Sequence, residues 1–157
     1  YNISKGIKIN IKKKIPVSAG LAGAIHAAAG PELDLECRSL APIETGEAVI
    51  TDAYRLPNDK VIHTLGPVYG RDSPEEKLLA ECYNNSLELA EKHGLTSVAF
   101  PAISTGAFRY PAEQAAKLAL KTVKKKTEEL ENVQEIRFVL FGEGILKVHE
   151  EALKELE

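Results

Sequence analysis

Two short apolar runs, Ser97–Ala102 (Ser-Val-Ala-Phe-Pro-Ala) and Ile136–Phe141 (Ile-Arg-Phe-Val-Leu-Phe), limit this chain more than any other feature. Neither alternates apolar with polar residues as a half-wet strand does. A sheet covered by helices on both faces requires such strands. Each run passes into a glycine-containing loop and then a helical pattern, so strand–loop–helix is the repeated unit. Strands at 48–51 and 61–65 come earlier. Leu79, Cys82, Tyr83, Ser86, Leu87 and Ala90 then keep helical spacing, as do Ala112, Ala115, Ala116, Ala119, Leu120 and Val123. A last amphipathic helix carries Ile145, Val148, Ala152, Leu153 and Leu156. Strands alternating with helices predict an α/β fold, a three-layer α/β/α sandwich around a mixed, mostly parallel sheet. The 157 residues suit one domain spanning 1–157.

The first half is read from smaller signals. Ile7, Ile9 and Ile11 alternate with polar residues, and residues 1–14 hold five lysines and no acid. This predicts a solvated edge strand guarded by lysines, favoured over a nucleic-acid patch. Gly20 to Gly30 reads as a short small-faced helix, and Glu32 to Leu40 as a second with Leu33, Leu35, Cys37 and Leu40 apolar. Ser73-Pro74-Glu75-Glu76 resembles a capping box, with Ser73 as the cap, and Gly94 suits the end of that helix.

Several kinds of chemistry are disfavoured. A net charge of −3 gives no case for general nucleic-acid binding. Cys37 and Cys82 lie in helical patterns without metal-ligand spacing and read as reduced thiols. No apolar run has the length of a membrane span and no signal peptide is visible, so a cytoplasmic protein is expected. His26, His63, His93 and His149 are scattered, and His26 and His63 read as structural. Phosphate-loop and dinucleotide fingerprints are absent, and nothing around Ser104 resembles a nucleophile elbow. No metal and no cofactor is therefore assigned.

What remains is the loop Ser104-Thr105-Gly106-Ala107, entered from a strand and left through Pro111 into a helix. Backbone N–H groups in such a loop converge on one point and suit a phosphate. Gly20–Gly23 offers a second small-residue segment, and two opposed donors of this kind fit a diphosphate. Phe108 would add a flat apolar surface for a sugar or base.

Gly20-Leu21-Ala22-Gly23-Ala24-Ile25-His26-Ala27-Ala28-Ala29-Gly30-Pro31 resembles the loop-and-helix segment of macrodomains. Thr45-Gly46-Glu47-Ala48, Val61–Pro67, Cys82–Leu87 and above all Phe100–Phe108 resemble further stretches of that family, in the same order, near its MacroD-type bacterial and archaeal branch. The resemblance implies a sandwich that binds ADP-ribose, free or on a modified protein, in a cleft on the sheet's rim. Carried over by position, Gly20, Leu21 and Ala22 belong to a first diphosphate loop. Ser104, Thr105, Gly106 and Ala107 form the second, with Phe108 against the distal ribose. Ala102 and Phe141 line the adenine pocket. In hydrolytic members the resemblance implies water attack at the anomeric carbon of the distal ribose, helped by the substrate's own phosphate. Other members read ADP-ribose without turnover. The basic segment 5–14 leaves RNA or poly-ADP-ribose as a weaker partner.

The chain departs from the family near its start. Gly6 is followed by Ile7 where members have Gly-Asp-Ile/Leu, and no Asp precedes Asp34. The Asn-Ala-Ala-Asn segment whose last Asn orients the distal ribose and the water is absent, Val17-Ser18-Ala19 running straight into Gly20. Ala22 replaces the Asp of MacroD-type enzymes, and Arg109 replaces a common Gly. No catalytic residue is therefore assigned. A chain lacking the strand that carries this segment has one wall of the cleft missing. Losing a buried strand would cost far more than the ~5–15 kcal/mol that stabilises a domain. Further residues between Gly6 and Gly20 are therefore favoured over a deletion, and an intact mass well above 17.1 kDa would support them.

Overall fold

The structure is a computed structural model that describes residues 7–14 and 20–156, with the side chains of 10, 12–14, 20 and 21 outside that description. In chain order the elements are β1 (Lys8–Lys14), α1 (Gly20–Ala29), α2 (Pro31–Leu40), β2 (Ala48–Asp52), β3 (Lys60–Thr64), α3 (Glu75–Lys92), β4 (Ser97–Phe100), α4 (Ala112–Lys126), β5 (Glu135–Phe141) and α5 (Glu143–Glu155). The predicted alternation of strands and helices is what forms.

β1, β5 and β4 make a parallel sheet in that order, with Ile9 opposite Ile136 and Phe100 opposite Phe138. β2 and β3 pair antiparallel as a separate two-stranded sheet. α5 packs on β1 and β5, α4 packs between α3 and α5, and α3 reaches β4 as well as β2 and β3. The result is a three-layer α/β/α domain whose sheet comes in two parts. Among the described residues no strand bridges β4 to the β2–β3 pair.

That break corrects one sequence expectation. Ser97–Ala102 was expected to be covered on both faces, yet only Phe100 is buried in β4, and Ala99 is exposed. The strand is an edge of its sheet, and an edge has no second neighbour to close over it. β5, between two partners, buries Ile136, Phe138 and Leu140 completely. β1 behaves as the edge strand predicted, with Ile7 and Ile9 buried and Lys8 exposed.

Two helix readings also change. α2 buries only Leu33, while Leu35 is 64% exposed, because a helix laid across α1 and β2 offers them one narrow face. Ser73 does not cap α3: Pro74 stands at the cap position in an extended conformation (ψ 120°), so the helix begins at Glu75. The Asp72 carboxylate instead accepts the Val68 N–H at 2.8 Å. The far end follows expectation, with Gly94 at φ +68° and the Leu95 N–H donating to the Ala90 carbonyl at 3.0 Å. Cys37 and Cys82 are both free thiols.

An aromatic part of the core joins α3 and α5 to β4 and β5 through Tyr83, Phe100, Phe138 and His149. His149 is only 1% exposed, and its Nδ1–H donates to the Ile145 carbonyl at 2.8 Å. Burial holds its pKa below the ordinary 6.5 although that bond opposes the shift. Above pH 6.5 the ring is neutral both folded and unfolded, so its stability contribution is complete. As pH falls below 6.5 the unfolded chain takes the proton first, and stability drops by up to about 1.4 kcal/mol per pH unit until the folded pKa is reached. Urea denaturation at pH 8 and pH 5.5 should show this loss, and His149→Leu should reduce it. An equal loss in both proteins would remove His149 as the cause.

Candidate functional site

β4 and β5 run parallel, so the residues at and just past their C-terminal ends share one rim. Ala102 and Phe141 both lie there, half-buried, with Ala102 packed against the core. The loop after β4 is fixed from inside. Thr105 donates through N–H and hydroxyl to the Ala102 carbonyl at 3.3 and 2.8 Å. The Arg109 N–H reaches the Gly106 carbonyl at 3.0 Å, and the Tyr110 N–H reaches the Ser104 carbonyl at 2.9 Å. The Ile103 N–H bonds to the Tyr83 hydroxyl of α3. Buried Tyr110 then packs edge-on against Tyr69, with ring centres 5.1 Å apart.

The loop after β3 meets the same rim. The Tyr69 N–H donates to the Phe108 carbonyl at 2.9 Å. Gly66 lies so close to Ser104 that a Cβ there would collide with its Oγ, which explains a glycine after β3. The two loops thus form one braced ledge.

On that ledge the structure separates two hydroxyls that the sequence grouped together. Thr105 spends its proton on Ala102, so its role is to shape the loop. The Ser104 Oγ is buried without a hydrogen-bond partner among the described residues, at a backbone φ of +65°. Both are costs that native loops carry where a ligand is meant to complete the site. Gly106 and Ala107 are exposed, and no acceptor for their N–H groups is found among the described residues. Phe108 is half-buried beside them.

Gly20, Leu21 and Ala22 are the first turn of α1 and not a loop, because three small or helix-forming residues before Gly23 do not prevent winding. A helix N-terminus still offers free N–H groups to an anion. Ala22 is exposed, and the side chain of Leu21 lies outside the described residues, as do Val17, Ser18 and Ala19.

Arg109 has φ +62°, a backbone conformation that favours glycine. A side chain there costs ~1–2 kcal/mol, against ~0.5–1 kcal/mol of unfolded-chain entropy for glycine. Arg109→Gly should therefore stabilise the fold by about 0.5–1 kcal/mol, read as a Tm rise of a few degrees. A lower Tm would show that the exposed guanidinium compensates for the strain.

One cluster escaped the sequence reading. The histidines are scattered along the chain, yet His26 of α1 and His63 of β3 come together in space with Cys37 of α2. Burial first, and then the neighbouring His26, lower the pKa of His63.

An α/β/α domain with a braced, donor-rich ledge at the strand ends is the architecture of an anion- or nucleotide-binding module. The Macro domain family profile matches residues 11–119. A macro domain-containing protein of Chlorobaculum tepidum is 48% identical over 135 residues, 85% of this chain and 78% of that protein. The ADP-ribose glycohydrolase MACROD2 of Xenopus laevis is 45% identical over 139 residues, 87% of this chain and 33% of that protein. A solved point mutant of the Oceanobacillus iheyensis macrodomain with ADPR superposes with a TM-score of 0.82 at 37% identity, over 94% of this chain and 86% of that one. The chain belongs to the macrodomain family. No helix among the described residues is long and apolar enough to cross a membrane.

Proposed function

We propose that this protein binds ADP-ribose on the rim ledge and hydrolyses it from mono-ADP-ribosylated proteins or related ADP-ribose esters. The observation that carries the reading is the buried, unpartnered Ser104 Oγ beside the free loop N–H groups of Gly106 and Ala107. Those donors suit the diphosphate, the half-buried Phe108 suits the distal ribose, and Phe141 suits the adenine. Support for turnover comes from the MACROD2 relative, named as a glycohydrolase. Water attack at the anomeric carbon needs no protein nucleophile, so the chain supplies position and charge stabilisation. Calorimetric titration with ADP-ribose tests the binding, and release from a mono-ADP-ribosylated protein tests the reaction. Binding with no release above buffer would make this a reader of ADP-ribose, as the absent Asn-Ala-Ala-Asn segment favours. No binding would overturn both readings.

A further inference from the structure

We propose that His26, Cys37 and His63 form a site for one zinc-class divalent cation, separate from the rim ledge. A ligand atom from each lies within 4.8 Å of the other two, and all three residues are half-buried. The Cys37 Sγ is 3.6 Å from Nε2 and 3.9 Å from Nδ1 of His63. Zinc bound at ~2.3 Å to sulfur and ~2.0–2.1 Å to nitrogen, at a tetrahedral angle, sets those atoms about 3.6 Å apart. Sulfur and ring thus already stand near that separation, and closing on an ion needs a turn of the His63 ring.

One nitrogen of His63 is already engaged. The Thr51 hydroxyl is hydrogen-bonded to His63 Nε2 at 2.9 Å and lies 3.0 Å from the Asp52 carbonyl. With Nε2 engaged by Thr51, Nδ1 is the nitrogen left to turn toward an ion. A histidine oriented through its second nitrogen is the usual support of a metal ligand. Thr51 is 2% exposed and sits diagonally across the β2–β3 ladder from His63, on the same face, so this support is rigid.

His26 also lines an open cavity of about 510 Å³ with Gly30, Pro31, Asp34 and Arg55. Three protein ligands leave a fourth position for water or a small ligand, and the opening lies on the His26 side. Two imidazoles and a thiolate suit zinc better than magnesium or calcium, which take oxygen donors. On binding, the Cys37 S–H bond breaks, a metal–sulfur bond forms, and one proton leaves to solvent with no change of oxidation state.

Chelator-treated protein is titrated with Zn²⁺ by calorimetry and with Co²⁺ by absorbance. The expected result is one ion per chain and a cobalt spectrum with a thiolate charge-transfer band and tetrahedral d–d bands. Thr51→Val should weaken binding about 10–100-fold, and Cys37→Ser or His63→Ala by more. In the unmutated protein Zn²⁺ should slow alkylation of Cys37, a readout that no folding defect can imitate. Absence of saturable uptake, a cobalt spectrum without the thiolate band, unchanged affinity in Cys37→Ser, or loss of uptake only in His93→Ala would overturn the proposal. ADP-ribose titration of the same sample reads the ledge independently, so either result can fail alone.

Discussion

Gly106→Glu is expected to remove ADP-ribose binding while leaving the fold intact. A Cβ built at Gly106 meets nothing within 4 Å, and its φ is not in the left-handed region, so a side chain there strains nothing. The residue is exposed on the ledge between Ser104 and Phe108, where its own N–H is free. A carboxylate there fills the space of the diphosphate and repels it. The expected loss is at least about 100-fold in Kd, or ~2.7 kcal/mol, with an unchanged Tm. The charge share can be isolated with Gly106→Gln, which keeps the bulk and should lose less. Affinity surviving in Gly106→Glu would show that the diphosphate does not lie on this loop, and the assignment of Ser104 and Ala107 would go with it.

What the sequence revealed of this site depended on whether the relevant signal was local. Ser104–Ala107 could be read as a loop because small residues between an apolar run and Pro111 have few alternatives. The division of labour between Ser104 and Thr105 could not. It depends on which hydroxyl the backbone turns inward, and that follows from the positive φ of Ser104 and its press against Gly66. Likewise the apolar faces of α3 and α4 were legible residue by residue, since a 3.6-residue period records burial directly. The exposure of Leu35 and Ala99 was not, because both depend on what neighbours the element, which no local pattern encodes. His26, Cys37 and His63 are the clearest case. They come from two helices and a strand, so their spacing carries no signature, and only the packing of α1 on α2 and of α2 on the β2–β3 pair gathers them. Metal spacing rules detect ligands carried on one short loop or helix, and this cluster is not of that kind.

The second large effect is expected at Phe138, and it separates what holds the domain together from what shapes the cleft. Phe138 is fully buried at the centre of β5, stacked on Phe100 at 5.9 Å and close to Tyr83 and His149 at 6.2 and 5.7 Å. Its ring is where α3, α5 and the parallel sheet meet. Phe138→Ala should cost ~3–5 kcal/mol, since the transfer term and the unfilled cavity add. Domains of this kind have ~5–15 kcal/mol in total, so the denaturation midpoint should fall by about a fifth or more. Phe141, three residues along the same strand, is only half-buried at the rim. If it stacks on the adenine, Phe141→Ala should lose less stability than Phe138→Ala and more ADP-ribose affinity. Urea denaturation and calorimetry on both variants give the two-by-two comparison. A Phe138→Ala unfolding free energy within ~1 kcal/mol of the parent would mean that the core is carried elsewhere. Equal affinity in Phe141→Ala and the parent would remove it from the adenine pocket and leave the ledge at Ser104–Phe108 to bind the nucleotide without it.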